Sequence, residues 1–147
     1  MTGVSWEPGT PLPAREYAVT RADLVRYAGA SGDRNPIHWS DRVATAVGLP
    51  GVIAHGMYTM ALAARAVQSW AGGPERVREL GCKFTKPVVV PDDDTGVVVR
   101  VAGTVKGVED GAATLTLEVT CAGEKVLGMP KAVVDVEGSP GSEGPGA

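Results

Sequence analysis

One run of residues, GMYTMALAARAVQSW from Gly56 to Trp70, constrains the fold more than any other. Past its first residue it holds no glycine or proline, and alanine and methionine recur nearly all round it. It predicts a long helix beginning near His55-Gly56, of about 14 residues and ~21 Å at 1.5 Å per residue. A helix that is apolar on almost every side is expected to be buried, not laid on a surface. Its small side chains would let a sheet curl closely around it.

The rest of the chain supplies such a sheet. From Arg76 onward, Val77 to Phe84, Pro87 to Val90, Gly96 to Val108, Ala112 to Ala122 and Glu124 to Val136 all favour strands. In TLTLEV, Thr114 to Val119, polar and apolar residues alternate with the period of a half-buried strand. Glu109-Asp110-Gly111 and Ala122-Gly123 carry the chemistry of hairpin turns. Pro130 removes a ladder donor inside the last strand, so it belongs at a bulge or an unpaired edge position.

Ahead of the long helix, residues 1–14 are rich in proline and glycine and read as an irregular lead-in. Arg15 to Thr20 suits a short strand. Thr20 followed by Asp23 gives a capping-box start, and Leu24, Tyr27 and Ala28 recur at helical spacing until Ser31-Gly32. Ser40 is a good N-cap for a second helix to about Val47, ended by Gly48 and Pro50-Gly51. The order is that of a single α+β domain over residues 15–137, an antiparallel sheet wrapped around one helix. A chain of 147 residues can fill one such core. The tail Gly138 to Ala147 has no apolar area to bury and is expected to be disordered.

Composition narrows the function. Net charge is −3 with acids and bases interleaved, so no basic face for nucleic acid is expected. Pro8, Pro11 and Pro13 break up the first residues, which argues against a signal peptide. Gly48 to Ala64 is too interrupted for a membrane span. Cys82 and Cys121 sit among apolar residues and read as small, buried, reduced side chains, consistent with a cytoplasmic protein. No dinucleotide fingerprint, phosphate loop or cysteine-rich metal spacing is present, so neither a cofactor nor a metal is expected.

The chemistry concentrates in SGDRNPIHWSD, Ser31 to Asp41. Asp33 and His38 both carry side chains that can give or take a proton. The Asn35-Pro36 turn brings the two onto one side of a short loop, where they can hold a water between them. The same string also suits a plain loop in which Asp33 caps the turn and His38 makes a local hydrogen bond. A second element is IAHGM, Ile53 to Met57. Gly56 at the helix start leaves an N–H free and close to the positive helix end, which suits an oxygen gaining negative charge. His55 is a further acid–base candidate, although its apolar neighbours favour a ring that fixes the loop.

The segment YAGASGDRNPIHWSDRVATAVGLPGVIAHGMYTM, Tyr27 to Met60, resembles the hydratase motif of the MaoC-like hot-dog family. The S-G-D-x-N-P-I-H core is followed by A-H-G-M at the family's usual distance, and the likeness runs over roughly residues 5–137, KFTKPVVVPDD included. The resemblance implies a hot-dog fold and (R)-specific hydration of trans-2-enoyl thioesters, or dehydration of (3R)-hydroxyacyl thioesters, on CoA or an acyl carrier protein. It is similar in particular to the catalytic B subunit of heterodimeric (3R)-hydroxyacyl-ACP dehydratases. On that likeness Asp33 and His38 are the catalytic pair and Gly56 the backbone donor to the thioester oxygen. Asn35, Ser31 and His55 support the loop, and Met57 and Tyr58 belong to the substrate pocket.

Two departures stand out. Ser40 occupies a position where the family often has an acidic or amide residue, and Tyr58 replaces a common leucine, which would reshape the acyl pocket. The family pairs hot-dog units edge to edge, so this chain is expected to dimerise, with itself or with a second hot-dog chain. Rival readings are a hot-dog thioesterase and a non-catalytic partner subunit. Arg65, Arg76, Arg78, Lys83 and Lys86 are candidates to meet a phosphate-bearing carrier.

Overall fold

The structure, a computed structural model, describes residues 3–136; the tail from Gly138 lies outside the described residues. Strand β1 (Pro11–Val19) precedes helix α1 (Arg21–Ser31), helix α2 (Asp41–Ala46) and helix α3 (Gly56–Ala71). Strands β2 (Val77–Phe84), β3 (Val97–Glu109), β4 (Ala112–Cys121), β5 (Glu124–Lys125) and β6 (Leu127–Asp135) follow. The strands form one antiparallel sheet in the order β1-β3-β4-β6-β2, with β5 beside β4.

Local chemistry sets several of these boundaries. The Thr20 side chain accepts from the Asp23 N–H while the Asp23 carboxylate accepts from the Thr20 N–H at 2.9 Å, closing the capping box. The Ser40 hydroxyl accepts from the Val43 N–H at 3.3 Å and opens α2. Between β3 and β4, Asp110 and Gly111 both take positive φ, 52° and 75°, the twist a two-residue hairpin needs. The β2–β6 register shifts between Gly81 and Lys83, opposite Met129-Pro130, and Met129 has a φ of 47°. Pro130 therefore sits at a bulge, where its missing donor costs no ladder bond.

Three expectations are corrected. β1 starts at Pro11, taking Pro11–Ala14 from the expected irregular lead-in, because Pro11 and Leu12 pair with Thr104 and Gly103 before the register shifts. Pro87 to Val90 is no strand; a single bridge joins Val89 to Ile53, flanked by Ala54 N–H to Val88 O and Val90 N–H to Val52 O, both 2.9 Å. Helix α3 is buried on one side only. Thr59, Leu62, Ala63, Ala66, Val67 and Trp70 face the sheet, while Met57, Ala61, Arg65 and Ser69 lie along one exposed i, i+4 row. That outer row is polar at Arg65, whose guanidinium lies over the Tyr17 ring at 4.7 Å, and at Ser69, which accepts from Arg15 Nε at 3.0 Å.

The core lies between α3 and the concave face of the sheet. Trp70 is its largest fully buried side chain, and its indole N–H donates to Pro13 O at 2.8 Å. Gly103 on β3 admits that ring: a Cβ there would meet Trp70 at 3.1 Å. Cys121 is buried and Cys82 half-buried, both free thiols whose pKa burial pushes up. Among the described residues no helix is long and apolar enough to cross a membrane.

Candidate active site

The loop after α1 is wound by its own side chains. Ser31 Oγ accepts from the Asp33 N–H at 3.1 Å, Asp33 Oδ1 from the Asn35 N–H at 3.2 Å, and Asn35 Oδ1 from the Ile37 N–H at 3.2 Å. These side chains cap successive turns where the backbone offers no ladder. Asn35 then opens a single 3-10 turn, Pro36–His38, closed by His38 N–H to Asn35 O at 3.0 Å. The turn carries His38 beneath the chain leading into α3.

There His38 Nδ1 donates to the Ile53 carbonyl at 2.8 Å. A carbonyl only accepts, so in the neutral ring the proton sits on Nδ1 and Nε2 keeps its lone pair. Nε2 faces Asp33 Oδ2 across 3.9 Å. That gap is too long for a direct hydrogen bond, and one water can reach both atoms across it. His38 is nearly sealed, its side chain 8% exposed, whereas Asp33 is open at 52%.

His55 packs against the other face of His38, ring centroids 3.8 Å apart and planes 19° from parallel. Its Nε2 donates to the Asp33 carbonyl at 3.1 Å, and its Nδ1 is buried with no partner among the described residues. Burial, foremost, holds the His55 pKa below its ordinary value, with His38 adding to the effect and the bond to Asp33 O opposing it. Tyr27 meets His55 edge-on at 4.8 Å and Tyr58 at 5.3 Å. Asp33, His38 and His55 bring their ligand atoms within 4.8 Å of one another. A single ion needs lone pairs that converge at about 2.1 Å, whereas stacked rings send theirs side by side, so the set does not fit a metal without reorientation.

The His55 carbonyl accepts from the Tyr58 and Thr59 N–H groups, at 3.0 and 3.2 Å. The Gly56 N–H has no acceptor among the described residues. Gly56 also borders an apolar cavity of about 320 Å³, walled by Leu49, Ile53, Thr59, Phe84 and Val126 among others. A Cβ on residue 56 would lie 3.0 Å from the Phe84 ring, so glycine is what lets that ring close over the helix start. Met57 and Tyr58, expected in the substrate pocket, do not line this cavity. Met57 is 57% exposed on the outer row of α3, and Tyr58 turns into the Tyr27 cluster.

The sequence reading missed one member of the assembly. Asp41 Oδ1 accepts from the Val52 N–H at 3.0 Å, and both its oxygens accept from Arg21 Nη2, at 2.9 and 3.0 Å. Arg21 Nε donates in turn to Val90 O at 2.6 Å. The Val52 N–H first, then Arg21, hold the Asp41 carboxyl below the usual carboxylate range. This clamp fixes the segment that presents the Ile53 carbonyl to His38. An acidic residue just after the N-cap Ser40 was the only sign of it.

Known proteins resemble this chain in sequence and fold. A family model described as MaoC like domain matches residues 4–122. The 3-hydroxyacyl-thioester dehydratase X of Mycobacterium tuberculosis is 41% identical over 85 residues, 58% of this chain and 29% of that protein. This chain thus matches less than a third of that relative's length. Among solved structures, a MaoC-like dehydratase superposes with a TM-score of 0.85 at 33% identity, over 89% of this chain and 41% of that one. The R-hydratase PhaJ1 from Pseudomonas aeruginosa superposes with a TM-score of 0.75 at 26% identity, over 89% of this chain and 83% of its own. The sheet-wrapped helix is the hot-dog fold.

Proposed function

Because the chain belongs to the MaoC-like domain family, we propose that it is a hydro-lyase of acyl thioesters. It adds water to trans-2-enoyl thioesters to give (3R)-hydroxyacyl thioesters, and runs the reverse dehydration. The relatives' names support this reading, one a 3-hydroxyacyl-thioester dehydratase and another an R-hydratase. The observation that carries it is the His38 Nε2 lone pair facing the Asp33 carboxylate across 3.9 Å.

Two acceptors at that spacing take both hydrogens of one water, which leaves an oxygen lone pair free to attack. The substrate carbonyl lies at the Gly56 N–H, in the field of the α3 N-terminus. As the water oxygen bonds to the β-carbon, one of its protons passes to the Asp33–His38 pair and the thioester oxygen gains enolate charge. Proton delivery to the α-carbon completes the addition. Ser31 and Asn35 hold the Asp33 loop, and His55 braces both Asp33 and His38. The residues supply acid–base and electrostatic catalysis, and the thioester itself supplies the acidity of the α-proton.

The acyl group is carried by CoA or by an acyl carrier protein, in the cytoplasm. The chain works as a dimer of hot-dog units, with itself or with a second hot-dog chain; a solved complex in the same fold, ChsH1-ChsH2 from Mycobacterium tuberculosis, pairs two chains. The test is hydration of crotonyl-CoA, followed by loss of enoyl absorbance with chiral analysis of the product. Asp33→Asn and His38→Gln should each lower turnover by ~100-fold or more, the usual worth of a placed acid or base. Near-wild-type rates in both folded variants would remove the pair from the mechanism.

A further inference from the structure

Thr59 lies one turn into α3 and is 3% exposed. It lines the apolar cavity together with Gly56. Its hydroxyl hydrogen-bonds nothing among the described residues. That is unusual on a helix, where a threonine hydroxyl ordinarily turns back to the carbonyl four residues earlier, as Thr45 does to Asp41 O at 2.8 Å. Here the corresponding carbonyl, that of His55, already accepts the Tyr58 and Thr59 N–H groups. The Thr59 hydroxyl is also not among the sealed, partnerless atoms, as His55 Nδ1 is. In a residue this buried, its open surface is the cavity's. Buried polar groups are satisfied as a rule, so a free hydroxyl in a wall that is apolar except for Thr85 and Lys86 calls for a ligand.

Helical side chains lean toward the N-terminus, so residue 59 covers the turn at residues 55–56. This sets the hydroxyl beside the unpaired Gly56 N–H, on the same cavity wall. We infer that Thr59 is a second donor to the thioester oxygen: its O–H and the Gly56 N–H together hold the carbonyl of the bound acyl group as enolate charge builds. The hydroxyl keeps its proton throughout; it donates a hydrogen bond and takes no part in transferring atoms. This rests on the hydro-lyase reading, since an oxygen that gains charge in the cavity is what gives the hydroxyl its partner.

The test pairs turnover with a spectroscopic reading that needs no turnover. Butyryl-CoA, labelled with carbon-13 at the carbonyl, is saturated and cannot be hydrated. Its carbonyl stretch, read by difference infrared on the bound complex, falls in frequency as donors are added. Wild type should show the largest downshift, Thr59→Val a smaller one and Thr59→Ser a shift close to wild type. On crotonyl-CoA, Thr59→Val should lose about 100-fold in kcat, the scale of one lost oxyanion donor, and Thr59→Ser should recover most of it. Thr59→Ala takes the place of the valine variant if that one does not fold. Wild-type kcat in the variant without the hydroxyl overturns the inference. So does lost turnover with an unchanged stretch, because the effect is then one of packing. If butyryl-CoA does not bind wild type, the acyl-thioester reading fails first and Thr59 loses its role with it.

Discussion

His38 and His55 stack face to face at 3.8 Å while each gives one ring proton to a backbone carbonyl, His38 Nδ1 to Ile53 and His55 Nε2 to Asp33. The two rings are thereby held in opposite tautomers, and the loop carrying Asp33 is tied to the residue that caps α3. The stack tolerates at most one cation comfortably, since like charges at this separation repel strongly in a poorly solvated site.

Acid should therefore weaken the fold through His55. Burial is the main reason its pKa lies below the ordinary value of about 6.5. In the unfolded chain the ring takes a proton near that pH; in the folded protein it resists until the pH is lower. Between the two values the unfolded state binds more protons, so stability rises with pH and is lost as pH falls below about 6.5. His55→Gln stays neutral and can still donate to the Asp33 carbonyl. Its melting temperature should fall less steeply than that of wild type between about pH 7 and 5. Equal slopes in the two proteins would clear His55 of the effect.

The Asp41 clamp predicts a local loosening without loss of the fold. Val52 is fully buried, so its N–H has no water to turn to when the carboxylate is removed. Asp41→Ala should cut hydrogen-exchange protection at the Val52 amide by about tenfold, and turnover should fall because the Ile53 carbonyl no longer holds His38 firmly. Arg21→Gln should act in the same direction but more weakly, since Val52 keeps its acceptor. The carboxylate's support is present above the usual carboxylate range and is lost as pH falls through its lowered folded value. Unchanged Val52 exchange in Asp41→Ala would dismiss the clamp.

What could be read from the sequence follows how local each decision is. The Thr20–Asp23 capping box, the Asp110-Gly111 turn and the bulge at Pro130 are settled by neighbouring residues, and all three stand where chemistry puts them. The start of β1 at Pro11 depends on partners near residue 104, and the one-sided burial of α3 depends on where the sheet ends, so neither was legible. The loop from Ser31 to His38 announced itself by motif. Asp41 did not, because its partners lie 11 and 20 residues away. Tyr58 does not line the cavity, because adjacent helical residues point about 100° apart and it is Thr59 that meets it.

Under the proposed function, that last difference bears on which residues should set acyl-chain preference. Tyr58→Leu should leave the order of hydration rates across a series of enoyl-CoA lengths as it is in wild type. Leu49→Phe and Val126→Phe should each shift the preference toward shorter chains, because Leu49 and Val126 wall the cavity of about 320 Å³. Overfilling a packed site costs typically ~1–3 kcal/mol, enough to reorder neighbouring chain lengths. A shifted profile in Tyr58→Leu, with none in the other two, would place the acyl chain elsewhere.

Gly56 should prove intolerant of even one methyl group, for a reason other than backbone freedom. Residue 56 is the first of α3 and has no positive φ, so alanine fits its backbone. The obstacle is the Phe84 ring, 3.0 Å from the position of the added Cβ. Phe84 is 56% exposed at the end of β2, so the ring is free to swing away, and the fold should survive with little change in melting temperature. Turnover on crotonyl-CoA should nevertheless fall by about tenfold, as a misplaced ring and a shifted helix start disturb the position of the substrate. Removing the ring removes the clash: in Gly56→Ala/Phe84→Ala the alanine at 56 should cost far less than it does alone, a non-additivity expected of residues in direct contact. If the two changes simply add, Phe84 does not set the requirement for glycine, and the loss in Gly56→Ala comes from the methyl group meeting the substrate itself.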